Sequence, residues 1–226
     1  WDQYCSILDF SDVHISRQAR KKCKLYTLTV DTAFDDVLLG CVQQHGESWL
    51  YRGHRSLLRQ MYTHGYTGNA DIHVGCHSFE LWDAKGELVA GDIGFTIGAV
   101  YSSATGFRAQ HTKNLGDVQL VLSTALLQKM GFRWVDLGQC LKYKETLGAH
   151  AIGRKEYMER LQRDRDEHVH FAHPRIAGGQ LLSCFLAGDE QRLQGMLGSD
   201  IDASQQGARD EQSEDSESGN AEQRYK

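Results

Sequence analysis

A chain of 226 residues with 40% apolar and 24% charged side chains can bury a sizeable core and holds one domain, or one domain with an appendage. No stretch approaches the roughly 18 uncharged apolar residues of a membrane span. The opening residues, which begin on Trp1 rather than Met, lack the basic-then-apolar order of a secretory leader, and the expectation is that an upstream portion is missing. The net charge of −5 sits entirely in residues 199–226, where eight acids face three bases. That tail is rich in Ser, Gln, Glu and Asp, cannot bury enough apolar surface to offset chain entropy, and is expected to be disordered; residues 1–198 form the folded domain. Six cysteines lie far apart with no CxxC, which reads as reduced thiols in a cytoplasmic protein.

In chain order, residues 12–31 contain no acid between Asp12 and Asp31, while Arg17, Arg20, Lys21, Lys22 and Lys24 crowd together. This is a solvated helix turn or arm, or a phosphate-contacting patch. Residues 24–30 alternate like a strand. Asp31 and Thr32 then suit helix N-caps, and Phe34, Val37, Leu38, Cys41 and Val42 fall on one helical face. Leu57, Leu58, Met61 and Tyr62 predict a second helix ending near Gly65. Residues 77–82, 87–95 and a third segment through Tyr101 predict an antiparallel meander, with Gly91, Gly94 and Gly98 marking bulges or close backbone approach. Leu115, Val118, Leu122, Ala125 and Leu126 predict a helix closed by Gly131. Residues 132–137 form a short strand carrying Asp136 at its end, and residues 154–167 a charge-rich exposed helix. Helices mixed with a meander argue an α+β domain.

Several short stretches, in order, carry a resemblance. They are His14-Ile15-Ser16-Arg17 with the basic run, residues 34–41, Ser48-Trp49-Leu50, His77-Ser78-Phe79-Glu80-Leu81-Trp82, Gly86-Glu87-Leu88-Val89-Ala90-Gly91, Lys113, Val135-Asp136 and Leu147-Gly148-Ala149. Over residues 1–161 the sequence resembles the leucyl/phenylalanyl-tRNA–protein transferases. That resemblance implies a GNAT-like domain, with a central, largely antiparallel sheet flanked by helices, that uses no acetyl-CoA. It implies transfer of an amino acid from charged tRNA to the α-amine of an acceptor protein, marking it for N-degron degradation. Aminoacyl-tRNA and a protein N-terminus would be the partners of a monomeric, cytoplasmic enzyme with no membrane and no cofactor.

The resemblance also assigns roles. Asp136 matches the catalytic Asp, against its ordinary reading as a strand-ending turn cap. The family's relay Gln stands two residues after that Asp; here Gly138 does, and Gln139 serves only if a bulge at Gly138 redirects it. Ala104 replaces a family Glu. Trp49 matches a Trp that stacks on the terminal adenosine, against a core Trp. Trp82 reads as core. Arg17, Arg20, Lys21, Lys22 and Lys113 would meet tRNA phosphates, against solvated positions. Asp92, Tyr101 and Val135 would line the side-chain pocket. Asp92 stands where the family has Met, so the donor is Leu or Phe or, if the carboxylate faces the guest, a cationic residue such as Arg or Lys; otherwise Asp92 faces solvent or a basic neighbour. His168, His170 and His173, with His73 and His77, lack a familiar ligand spacing, and no metal is expected. The rivals are a CoA-dependent acetyltransferase, disfavoured because residues 105–112 hold a single glycine, and a non-catalytic tRNA- or N-degron-binding relative.

Overall fold

The computed structural model of the chain describes residues 3–65, 74–110 and 112–187. His73 and the acidic stretch 199–226 lie outside the described residues. The architecture is the expected α+β arrangement of helices flanking one largely antiparallel sheet.

The strands are β1 (Tyr4–Asp9), β2 (Thr27–Val30), β3 (Val74–Trp82), β4 (Leu88–Ile97), β5 (Val100–Arg108), β6 (Trp134–Gly138), β7 (His150–Gly153) and β8 (Arg175–Ala177). They form a sheet in the order β7-β1-β6-β5-β4-β3-β2-β8. All neighbours are antiparallel except β5 and β6. A parallel pair needs a crossover, and α4 (Leu115–Met130) supplies it. The pairing of β5 with β6 covers only Val100–Ser102 against Trp134–Asp136. Beyond those residues β5 pairs with β4 and β6 with β1, so the sheet opens between β5 and β6 just past Ser102 and Asp136.

The predicted meander is β3-β4-β5. It carries a bulge between Ile93 and Gly94 in which Ala104 is the extra, exposed residue. A Cβ on Gly94 would lie 2.5 Å from the Tyr101 ring, so only glycine lets that ring lie flat across β4. Gly91 and Gly98 are equally confined.

The predicted helices are α2 (Phe34–His45), which buries Phe34, Val37, Leu38 and Cys41, and α3 (Arg52–His64), which ends at Gly65. Together with Leu50, Leu58, Cys76 and Ile93 they make one apolar core against β3 and β4. A second core of Ile7, Val100, Trp134 and Ile152 lies under α6 (Arg154–Asp164) through Tyr157 and Leu161. The basic run resolves into a true helix, α1 (Arg17–Cys23), capped by the Ser16 side chain, which accepts from the Ala19 N–H at 3.1 Å. The following strand therefore begins at Thr27 rather than Lys24. The short α5 (Lys142–Glu145) and the C-terminal α7 (Gly178–Ala187) complete the described chain. All six cysteines are free thiols.

The N-cap expectation for Asp31 and Thr32 fails. Ala33 occupies the cap position of α2 without a side-chain bond. Its N–H donates at 3.3 Å to Glu80 of β3. Glu80 is fully buried, also accepts from the Thr29 and Ser78 hydroxyls, and is pushed up chiefly by burial, with these hydrogen bonds opposing. Trp82, expected in the core, is half-buried and donates to Thr29 Oγ1 at 2.7 Å. The 77–82 motif is thus the device that ties β2, β3 and the start of α2 together.

Candidate active site

Asp136 lies in β6 at the opening between β5 and β6 and is 8% exposed. Ser102 Oγ donates to its Oδ2 at 2.8 Å and Tyr157 Oη, from α6, to the same oxygen at 3.0 Å. The Gly138 N–H donates to Oδ1 at 2.8 Å. That last bond depends on the anticipated bulge: Ile7 pairs with Asp136 and Ser6 with Gly138, which leaves Leu137 over, and Gly138 turns at φ +69°. The turn-capping role of an Asp here is therefore also realised. Burial pushes the Tyr157 phenol up, and the adjacent Asp136 adds to this.

Gln139 follows the bulge and is exposed; its contribution is its carbonyl, which accepts from Lys144 Nζ at 2.9 Å. The hydroxyls of Ser102 and Tyr157 occupy the place on Asp136 where a glutamine relay was expected. Lys144 of α5 is 9% exposed and also donates to the Leu137 carbonyl. Burial lowers its pKa, while Asp136, Cys140 and Asp92 act in the opposite direction.

Asp92 of β4 is half-buried. It accepts from Ser103 Oγ at 2.7 Å and from Tyr101 Oη at 2.8 Å. Burial raises it to about 6, against the lowering effect of both hydroxyls and of Lys144. Ser102 and Ser103 are successive strand residues and point to opposite faces; the two carboxylates are therefore served from opposite sides of β5. Tyr101 and Val135 do not line open space: they are 2% and 1% exposed. The Tyr101 ring is edge-on to Phe79 at 5.2 Å, so it is not free to lie along a guest. Of the three expected pocket residues, Asp92 alone is reached by solvent.

Trp49 is 41% exposed in the connection before α3 and lies edge-on to His54 at 4.9 Å, an open aromatic rather than a core one. It makes no hydrogen bond or ring contact with the Asp136 group. The basic residues converge as a separate patch. Lys22 donates to the Lys113 carbonyl, and Asn114 donates to Gln18 at 3.1 Å, so α1 and the start of α4 present Arg17, Arg20, Lys21, Lys22 and Lys113 together. Among the described residues none of these five side chains has a carboxylate within 4.0 Å.

The histidines assemble elsewhere. His77 donates from Nδ1 to Asp31 Oδ2 at 2.7 Å, and His173 lies on the same oxygen at 3.1 Å. Ser78 N–H donates to Oδ1 at 2.7 Å. Burial alone would raise Asp31, but the His173 and His77 hydrogen bonds outweigh it and hold the carboxyl below its ordinary value. Asp31 adopts φ +54°, and with Tyr62, Thr63, Cys76, His77 and His173 it lines a cleft. Among the described residues, the set with ligand atoms mutually within 4.8 Å is instead Asp9, Asp12 and His150.

The family model for leucyl/phenylalanyl-tRNA protein transferase matches residues 7–162, which include every residue of the Asp136 and Asp92 groups. The chain belongs to this family. A leucyl/phenylalanyl-tRNA–protein transferase of Shewanella baltica (strain OS223) is 30% identical over 164 residues, 70% of this chain and 64% of that one. The transferase of Maricaulis maris (strain MCS10) is 29% identical over 160 residues, 69% of this chain and 68% of that one. The chain thus spans about two thirds of the length of the curated transferases it matches. Among solved structures, a GCN5-related glucosamine N-acetyltransferase region of a fungal multi-domain β-N-acetylglucosaminidase aligns with TM-score 0.46 and 14% identity, over 68% of this chain and 20% of that one. His173, β8 and α7 follow the stretch matched to the transferase family.

Ser102, Ser103, Lys144 and Tyr157 were not singled out from the sequence. Tyr157 lies on a helix whose charge reads as solvated, and Lys144 on a helix of four residues; neither carries a local signal.

Proposed function

We propose that this chain transfers the aminoacyl group of a charged tRNA to the α-amine of a protein N-terminus, a reading in keeping with the tRNA–protein transferase named for its relatives. The observation that carries the reading is Asp136. Among the described residues it accepts hydrogen bonds from neutral donors alone, at the place where β5 and β6 part, and a carboxylate can take a fourth. Lys144 is close in charge but is committed to two carbonyls.

An incoming ammonium donates to Asp136 Oδ1 and is held against the ester. The ammonium first releases one proton to solvent; the amine nitrogen then attacks the ester carbonyl carbon, and the bond to the ribose oxygen breaks. The second proton given up by nitrogen ends on that oxygen. The products are an amide and a tRNA with a free ribose hydroxyl. Tyr157 and Ser102, both donating to Asp136, are placed to orient it and pass a proton along the hydroxyls. The ester is already activated, so the work is positioning and proton transfer, and the reading calls for no metal or cofactor. Trp49 offers a stacking surface for the terminal adenosine, and the α1–Lys113 patch offers unpaired cations for phosphates. We place the protein in the cytoplasm as a monomer, where charged tRNA and protein N-termini meet and where the product feeds N-degron degradation. Among the described residues no helix is long and apolar enough to cross a membrane.

A CoA-dependent acetyltransferase is less well supported. Gly106 lies inside β5, paired with Asp92, and its carbonyl is engaged by His45 at 2.7 Å, so it is not part of a free amide turn for a pyrophosphate. The test is transfer of labelled amino acids from bulk charged tRNA to peptides with varied N-terminal residues. Wild type transfers, and Asp136→Asn lowers kcat on the order of 10³-fold with KM for charged tRNA nearly unchanged. Transfer that survives Asp136→Asn overturns the reading; tRNA binding without turnover favours the non-catalytic relative.

A further inference from the structure

Half-buried Asp92 has no cation bonded to it among the described residues. Both of its hydrogen bonds come from hydroxyls, and among the described residues no ammonium, guanidinium or imidazole lies within 4.0 Å. Two acceptor positions stay open on a carboxylate that accepts two bonds. The residue as a whole is part-exposed, and Phe79, its partner across β3 and β4, packs edge-on against Tyr101. The surroundings add negative charge and an aromatic ring. Tyr143, 58% exposed on α5, has its phenol raised first by burial and then by Asp92 and by Asp117 of α4, so both carboxylates lie within electrostatic reach of one accessible ring. Lys144 is the one ammonium within electrostatic reach of both Asp92 and Asp136 among the described residues, and its hydrogen bonds go to backbone carbonyls.

We infer that Asp92 selects a donor whose side chain is cationic, an arginyl or lysyl group, with the head group on the Asp92 carboxylate and the Tyr143 ring against it. This rests on the transfer reaction proposed above. An apolar guest would leave the carboxylate desolvated and unpaired, which is costly. A guanidinium or ammonium uses its open acceptor positions and gains from a ring face.

The experiment measures kcat/KM for arginyl-, lysyl-, leucyl- and phenylalanyl-tRNA with one acceptor peptide. Wild type prefers the two cationic donors by at least about tenfold. Asp92→Asn shifts the arginyl-to-leucyl ratio by on the order of 100-fold, the scale of removing one member of a buried hydrogen-bonded charge pair. Tyr143→Leu, a surface change that keeps the test open if the Asp92 variant fails to fold, shifts the same ratio by about fivefold. Transfer of leucine and phenylalanine with arginine and lysine at background overturns the inference and leaves the transfer reaction standing. Equal loss for all four donors in Asp92→Asn assigns the carboxylate to the α-amine that every donor shares, and also overturns it. Silence with every donor overturns the transfer reaction itself.

Discussion

Asp31 and Asp136 are built alike but accept from donors of different kinds. Each is mostly buried, Asp31 just past the end of β2 and Asp136 at the middle of β6 rather than at its end as the sequence suggested. Each accepts two side-chain donors on Oδ2 and one backbone N–H on Oδ1. At Asp31 the side-chain donors are imidazoles, one of them stacked on Phe171 at 3.7 Å, and His173 is raised first through its bond to Asp31. At Asp136 they are hydroxyls. An imidazole can become a cation and neutralise its partner, whereas a hydroxyl cannot. Asp31 is thus a tie that fixes the segment after α6 onto β2 and β3, while Asp136 has no cationic partner among the described residues, which is what the proposed pairing with an incoming ammonium needs. The number of hydrogen bonds does not separate a structural carboxylate from a reactive one; the charge of the donors does.

The strongest way to break this contrast is to change both residues in the same way. Asp136→Asn costs about three orders of magnitude in turnover and little in stability, because asparagine retains an acceptor for Gly138 and the hydroxyls can turn. Asp31→Asn leaves two imidazole donors competing for one amide and costs about 2–3 kcal/mol, a fall in Tm of about 5–10 °C, with transfer per folded molecule unchanged. Thermal melts beside single-turnover transfer check both; a large stability loss at Asp136 with normal turnover would reverse the assignment.

Asp92 sharpens the comparison from the other side, because it is raised rather than lowered. A carboxyl raised to about 6 in the fold costs nothing below the ordinary Asp value near 4. The penalty grows as pH rises between those two values and is complete above about 6, where the folded chain must ionise a buried group. Asp92→Asn therefore stabilises the protein at pH 7.5 by up to about 3 kcal/mol, and the gain vanishes towards pH 4. Melts across that range check it. A variant equally or less stable at every pH would mean that the Ser103 and Tyr101 hydroxyls fully solvate the charge. A residue that costs stability in the empty protein is what a binding site for a cation requires.

Much of this was legible along the chain, and the reason it stopped is physical. Apolar spacing fixed α2, α3 and the meander, because each signal lies within a dozen residues. β1 and β7 escaped because β1 is held by partners 125 or more residues away in β6 and β7. The three-residue β8 is too short to show a period. Asp31 misled for the same reason: a local rule makes it a helix cap, while its actual partners, His77 and His173, are distant in sequence. At the site, Asp136 and Asp92 were found by their place in a family pattern. The hydroxyls that define their state come from β5 and α6, and no local pattern points to them.

The smallest expected effect concerns the basic patch, which the fold assembles from α1 and the start of α4. Arg20 and Lys21 are exposed in the last turn of α1, where the helix C-terminus already favours cations, and neither has a carboxylate partner among the described residues. If they meet phosphates, each contact releases counterions, so the logarithm of the tRNA dissociation constant rises with the logarithm of salt by about 0.7–0.9 per contact. Lys21→Ala lowers that slope by about one contact's worth and weakens binding alike for every charged tRNA. Neither Tm nor the arginyl-to-leucyl ratio moves. A binding curve taken at four salt concentrations is sufficient. An unchanged slope in Lys21→Ala and Arg20→Ala together would move the phosphate track off α1, because a patch that neutralises nothing cannot release ions.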